Sequence, residues 1–154
     1  MTVMCGIVGL FLKDPALEPD LGAMLTAMLI TMTDRGPDSA GIAIYGAAGA
    51  GQSKIVVQSD TPKQDFPGLE AKLTRITGHT VTMRIKSTHA VLAFPAGLTS
   101  EMRAALATAN PALRIMSRGD SIEIYKEVGL PKDVAARFDL TAMQGTHGIG
   151  HTRM

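Results

Sequence analysis

The sequence predicts an α+β fold, and three observations predict it. Apolar, strand-like runs stand at both ends of the chain, Cys5 to Leu12 and Gly145 to Met154. One stretch, Leu21 to Met32, carries a helical stripe. From about residue 68 the texture changes to short helical and strand-like segments in alternation, as in a small α/β subdomain inserted into the main fold. The expected division is residues 1–67, an insertion over 68–128, and a return over 129–154.

The elements follow in order. Cys5 to Leu12 is apolar on both faces and punctuated by Gly6 and Gly9, which suits a strand buried on both sides. Lys13-Asp14-Pro15 ends it. Leu21, Met24, Leu25, Met28, Leu29 and Met32 fall at i, i+3, i+4, i+7, i+8 and i+11, the stripe of an amphipathic helix facing a core. Glu18 and Asp20 suit its positive end, Pro19 its first turn, and Gly36-Pro37 its stop. Ala40 to Tyr45 and Lys54 to Gln58 read as two strands around a glycine-rich turn, Gly46 to Gly51, hence as a hairpin. That turn lacks the G-x-G-x-x-G spacing of a dinucleotide site.

Asp60 to Pro67 reads as a linker, and Gly68 to Ile76 as a short helix. Thr80 to Lys86 and His89 to Phe94 are strand-like, and Thr99-Ser100 are positioned to cap a helix running to Ala109, before Pro111. Leu113 to Ser117 and Ser121 to Lys126 flank an Arg118-Gly119-Asp120 turn. The order of these elements suggests a ferredoxin-like layer. Pro131 to Leu140 is a further helix, and Gly145 to Met154 a glycine-rich strand.

Composition narrows the function. The net charge of +1 gives no basic footprint for nucleic acid. No run approaches the ~18 apolar residues of a membrane span, and no secretory signal opens the chain. A single cysteine excludes an internal disulfide and a multi-cysteine zinc site, and makes the cytoplasm the default compartment.

That cysteine, Cys5, has two readings. It is either a small buried hydrophobe at the end of a core strand or a nucleophile. His147 and His151 share a strand face; metal ligation and ordinary polar packing are the alternatives there. His79 and His89 read as surface or hydrogen-bonded histidines. Asp38-Ser39 reads as a turn and cap, since Ser39 stands on no strand-to-helix elbow. Arg103, Arg114, Arg118 and Lys126 read as scattered solvated charge.

Three stretches, Met4-Cys5-Gly6-Ile7-Val8-Gly9, Arg35-Gly36-Pro37-Asp38-Ser39-Ala40-Gly41 and Gly150-His151-Thr152-Arg153, resemble in content and order the class II glutamine amidotransferase domain, an N-terminal-nucleophile hydrolase. In general texture the chain is also similar to the amidotransferase-like subunit of N-methylglutamate synthase and other glutamate-synthase-type complexes. The resemblance implies a four-layer αββα sandwich, incomplete here, and hydrolysis of the side-chain amide of L-glutamine. It makes Cys5 the nucleophile, with its own freed α-amine as base. It makes Arg153 the grip on the substrate α-carboxylate, with Arg35, His151 and Met154 in supporting positions around the substrate. It places no cofactor or metal on this chain; flavin and iron–sulfur groups would sit on partner synthase subunits.

The pattern departs from the family at two points. Cys5 is not residue 2, so exposure of its amine requires a start at Met4 or removal of Thr2 to Met4. The family's Asn-Gly oxyanion pair and the acidic residue that holds the substrate amine lie beyond the arginine strand, so another chain is expected to supply the remaining strands. Two functions stay open: a glutaminase that feeds ammonia to a synthase partner, or a non-catalytic subunit that keeps the fold for assembly or ligand sensing.

Overall fold

A computed structural model describes residues 5–46 and 49–153. The chain divides into two compact units, residues 1–47 with 124–154, and residues 48–123. The strand over 52–58, which the sequence reading grouped with residues 1–67, thus belongs to the second unit.

The first unit is built on a four-stranded sheet. Its strands are β1 (Gly6–Phe11), β2 (Ser39–Tyr45), β7 (Ile122–Val128) and β8 (His147–Arg153), in the order β1-β8-β2-β7. β8 pairs antiparallel with both β1 and β2. Helix α1 (Leu21–Ile30) packs on one face of this sheet, and the helical stripe is real: Leu21, Leu25 and Leu29 are wholly buried. Full burial of one such side chain stabilises by about 1.5–3 kcal/mol relative to leaving it exposed. Close approach explains the glycines of β8. A Cβ on Gly148 would lie 2.8 Å from Leu25 Cδ2, and one on Gly150 would lie 2.8 Å from Leu29 Cδ1. Helix α5 (Pro131–Arg137) adds Val134 and Ala135 to this core, and the rings of Tyr125 and Phe138 meet at 5.1 Å.

The opposite face of the sheet is open. Ile7 is 71%, Phe11 66% and Ile149 43% exposed. β1 is therefore buried on one face only, not on two as its sequence suggested. On the open face His147 stacks on Tyr45 at 4.0 Å. Thr146 Oγ1 lies 2.8 Å from His147 Nδ1, so this histidine packs and hydrogen-bonds.

The second unit is a four-stranded antiparallel sheet of β3 (Gln52–Gln58), β4 (Thr82–Lys86), β5 (His89–Pro95) and β6 (Arg114–Gly119), in the order β4-β5-β3-β6. Helices α2 (Pro62–Asp65), α3 (Leu69–Thr77) and α4 (Thr99–Ala109) complete it. With α3 and α4 as the crossovers, the succession βαββαβ and this strand order are those of a split βαβ, ferredoxin-like unit. Its core joins Ile55, Val57, Leu73, Leu92, Phe94 and Met102, all buried. His89 is buried with Thr88 Oγ1 3.0 Å from Nδ1, whereas His79 is exposed.

Several local expectations need correction. β2 and β3 do not form a hairpin. They lie in different sheets, because each finds a longer-range antiparallel partner, β8 and β5 respectively. Of the turn expected between them, residues 47–48 lie outside the described residues. The first helix ends at Ile30, and a 3-10 turn, Thr33–Arg35, precedes Gly36. Another, Pro15–Asp20, takes up Glu18 and Pro19. The supposed linker contains α2. Thr99 and Ser100 lie within α4, whose N-cap is Leu98; the Met102 N–H bonds the Leu98 carbonyl at 2.8 Å. Ser39 is the first residue of β2, not a turn residue.

Candidate active site

β8 carries the candidate arginine at its far end, and both of its neighbours bring motif residues to that end. In the β1–β8 register Gly6 faces Thr152 and Ile7 faces His151. β1 begins at Gly6, so Cys5 immediately precedes the residue paired with Thr152, at the end of the sheet where Arg153 lies. In the β2–β8 register Ser39 faces Arg153 and Gly41 faces His151. Residues directly opposite in an antiparallel pair share a face and lie ~4.5–5.5 Å apart. Strand alternation puts Ile7 and Phe11 of β1 on the open face. The thiol is exposed, which sets aside the buried-hydrophobe reading. Arg153 is exposed on the same face, with His151 half-buried beside it.

The Arg35-Gly36-Pro37-Asp38-Ser39 segment holds this end of β8 in place. Pro37 makes a parallel bridge to Arg153, and the Asp38 N–H donates to the Arg153 carbonyl at 3.0 Å. The Asp38 carbonyl in turn accepts from the Gly129 N–H at 2.8 Å. Gly36 is buried so tightly that a Cβ would stand 2.4 Å from the Arg153 nitrogen. On the helix side, buried Thr152 donates its hydroxyl to the Met32 carbonyl at 3.3 Å. The backbone of Arg153 is therefore fixed from two sides, while its guanidinium pairs with no carboxylate among the described residues.

Of the site residues read from sequence, His151 and Arg153 share the end of β8, and Cys5 immediately precedes the β1 residue paired with Thr152. Arg35 is exposed in the 3-10 turn leading into the clamp, one residue before Gly36. Met154 lies outside the described residues. The sequence reading missed Gly36 and Asp38 as the parts that touch Arg153. Their signal was the compact Arg-Gly-Pro-Asp-Ser run itself. Among the described residues no group of three or more His, Cys, Asp or Glu is placed to hold a metal ion.

The glutamine amidotransferase-like protein GlxB of Rhizobium meliloti is 61% identical over 151 residues, 98% of this chain and 50% of that protein. A protein of Methanothermobacter thermautotrophicus, provisionally named a glutamine amidotransferase, is 32% identical over 165 residues, 97% of this chain and 52% of its own length. These homologues support a glutamine amidotransferase family. The chain spans about half the length of the curated relatives it matches. No family model matches it. No helix of the described residues is long and apolar enough to cross a membrane.

Proposed function

We propose that the β1–β8 end is the glutamine site of a class II, N-terminal-nucleophile amidotransferase, and that its ammonia serves a glutamate-synthase-like or N-methylglutamate synthase complex in the cytoplasm. The observation that supports this reading is the β1–β8 register, which ends with Gly6 opposite Thr152 and so brings Cys5 and Arg153 to one end of the sheet, with the Arg35 to Ser39 segment clamped on the arginine backbone. An unpaired guanidinium on an open face suits an amino-acid α-carboxylate, which it binds through two parallel hydrogen bonds. With the carboxylate held there, the side-chain amide of glutamine extends toward the thiol.

In this mechanism the freed α-amine of Cys5 takes the thiol proton; an α-amine of ordinary pKa, about 7.7–8.0, is partly neutral near pH 7. The sulfur attacks the amide carbon, the tetrahedral adduct expels ammonia with the returned proton, and a γ-glutamyl thioester remains. Water then cleaves the thioester to glutamate and restores the thiol. Preorganised oxyanion donors for such a step are worth ~10²–10³ in rate. They belong, in this reading, to the remainder of an αββα sandwich. Its second sheet would cover Ile7, Phe11 and Ile149, which this unit leaves in solvent. Flavin and iron–sulfur groups fall to partner synthase subunits.

The test compares glutamate release from glutamine by the full-length protein in its complex with that of a Cys5→Ala variant, alongside the mass of the mature N-terminus. A mature chain beginning at Cys5 and a loss of at least about a thousandfold in rate are expected. An intact Thr2 terminus with unchanged glutamate release removes the catalytic reading and leaves the non-catalytic subunit.

A further inference from the structure

The second unit carries a feature that the glutamine site does not use. β6 is an edge strand of its sheet, and α4 runs beside it. Between them lies a groove of about 490 Å³, with Ala104, Ala107, Pro111, Leu113 and Ile115 in its wall. A second cavity, sharing Arg103 and Ile115 with the first, lies further along β6 beside Met116 and is lined by Arg118. Ile115 is 40% exposed although it is a large aliphatic side chain.

Positive charge is in excess in this unit. Residues 48–123 contain nine Lys and Arg against six Asp and Glu. Most of those acids are already engaged. Asp60 is forked by Arg114, Glu123 is held by Lys54 and Arg84, and Asp120 accepts from Ser53. Asp65 accepts from Thr61 and Asn110, and Glu70 accepts from the Met83 N–H. Among the described residues Arg103 and Arg118 have no such partner, and both are exposed. Glu101, two residues from Arg103 on α4, does not face it, because i,i+2 positions point apart on a helix.

We propose that this groove docks an acidic, extended segment of a partner protein. Aliphatic side chains of that segment occupy the stretch at Leu113 and Ile115, and flanking carboxylates pair with Arg103 and Arg118. The guanidinium fork matches carboxylate geometry, and an extended peptide suits a surface bounded by a strand edge. A nucleic acid fits less well, since the groove wall offers no aromatic ring for base stacking.

The test pans a displayed library of unstructured peptides on the full chain and on the double variant Arg103→Ala, Arg118→Ala. Both arginines are exposed, so the variant is expected to keep its melting temperature, and Arg75→Ala on α3 serves as a charge-matched control. Enriched peptides are expected to carry Asp or Glu flanking aliphatic residues. A synthetic peptide of the leading sequence is expected to bind the double variant roughly tenfold more weakly, to bind the control as tightly as the parent chain, and to weaken with salt. Enrichment that ignores the two arginines, a consensus without acidic residues, or no enrichment overturns the proposal. So does self-association of the full chain that protects Leu113 and Ile115, which would make the occupant a second copy.

Discussion

The two units solve the burial problem differently. In residues 48–123 the central strands β3 and β5 carry uninterrupted apolar stretches, Ile55 to Val57 and Ala90 to Phe94, and Ile55, Val56, Val57, Val91 and Leu92 are all buried. Such strands read as uninterrupted hydrophobic sequence and form the interior of a sheet. In the other unit the central strand β8 is His147-Gly148-Ile149-Gly150-His151-Thr152-Arg153. Its glycines and Thr152 face α1, while its histidines, isoleucine and arginine face outward. One sheet spends its side chains on packing. The other gives up side-chain volume on the helix side and displays polar and apolar groups on a face that this unit itself does not cover. The candidate chemistry sits on the second kind of sheet, as it must if the residues are to reach a ligand.

The largest stability contrast between the units is expected from matched truncations. Leu92→Ala, in the middle of β5, leaves a cavity in a packed core and is expected to cost about 2–5 kcal/mol. Ile7→Ala removes a similar aliphatic group from a side chain that is mostly in water, and is expected to stay within about 0.5 kcal/mol. Urea unfolding of both variants checks the pair. The same two chains, mixed with a dye that fluoresces on apolar surface, sharpen it: native-state dye binding is expected to fall for Ile7→Ala. If Ile7→Ala proves as costly as Leu92→Ala within the 154-residue chain, the face is already covered there and the contrast fails.

How much of this was legible in the sequence follows the same division. α1 was visible because its stripe has the helical period, and α3, β4, β5 and α4 were visible because the second unit packs by local pattern and short connections. The β2–β3 hairpin failed because a glycine-rich turn between two strands says nothing about whether longer-range partners compete. Here β8, more than a hundred residues away, takes β2. The site was legible as three motifs but not as a place. Cys5 was first weighed as buried, since nothing in an apolar run shows that one sheet face lacks a covering layer. Nor does a run such as Arg-Gly-Pro-Asp-Ser reveal that its glycine meets the backbone of Arg153; that contact exists only after the chain closes.

Gly36→Ala tests that contact, with a smaller expected effect. The added methyl would have to move the Arg153 backbone or the Gly36 segment, at about 1–3 kcal/mol by the usual cost of overpacking. The loss should appear first in the β8 end, as faster amide exchange of Asp38, whose N–H bonds the Arg153 carbonyl. On the proposed mechanism it should raise KM for glutamine more than it lowers kcat, because the clamp would position the carboxylate grip and not the thiol. Unchanged exchange at Asp38 would show that the segment does not hold β8.

The smallest effect expected is an acid response confined to the second unit. The Arg114 guanidinium, by hydrogen bond and charge, holds the Asp60 carboxyl below its ordinary range. Hydrogen bonds from Ser59, Thr61 and Asn110 do the same for Asp65, outweighing the opposing effects of burial and of Asp60. In both cases the folded state binds its proton less readily than the unfolded chain. The stabilisation is therefore complete above the unfolded carboxylate pKa, about 3.9, and is lost as pH falls through the depressed folded values. Both groups are solvated, so the slope is shallow and screened by salt. Amide exchange of β3 and β6 below about pH 4 should quicken in the parent chain. In Asp65→Asn it should already be faster at neutral pH and less responsive to acid, since no carboxylate remains there to protonate. An acid response that Asp60→Asn and Asp65→Asn leave intact would place the titrating groups elsewhere in the chain.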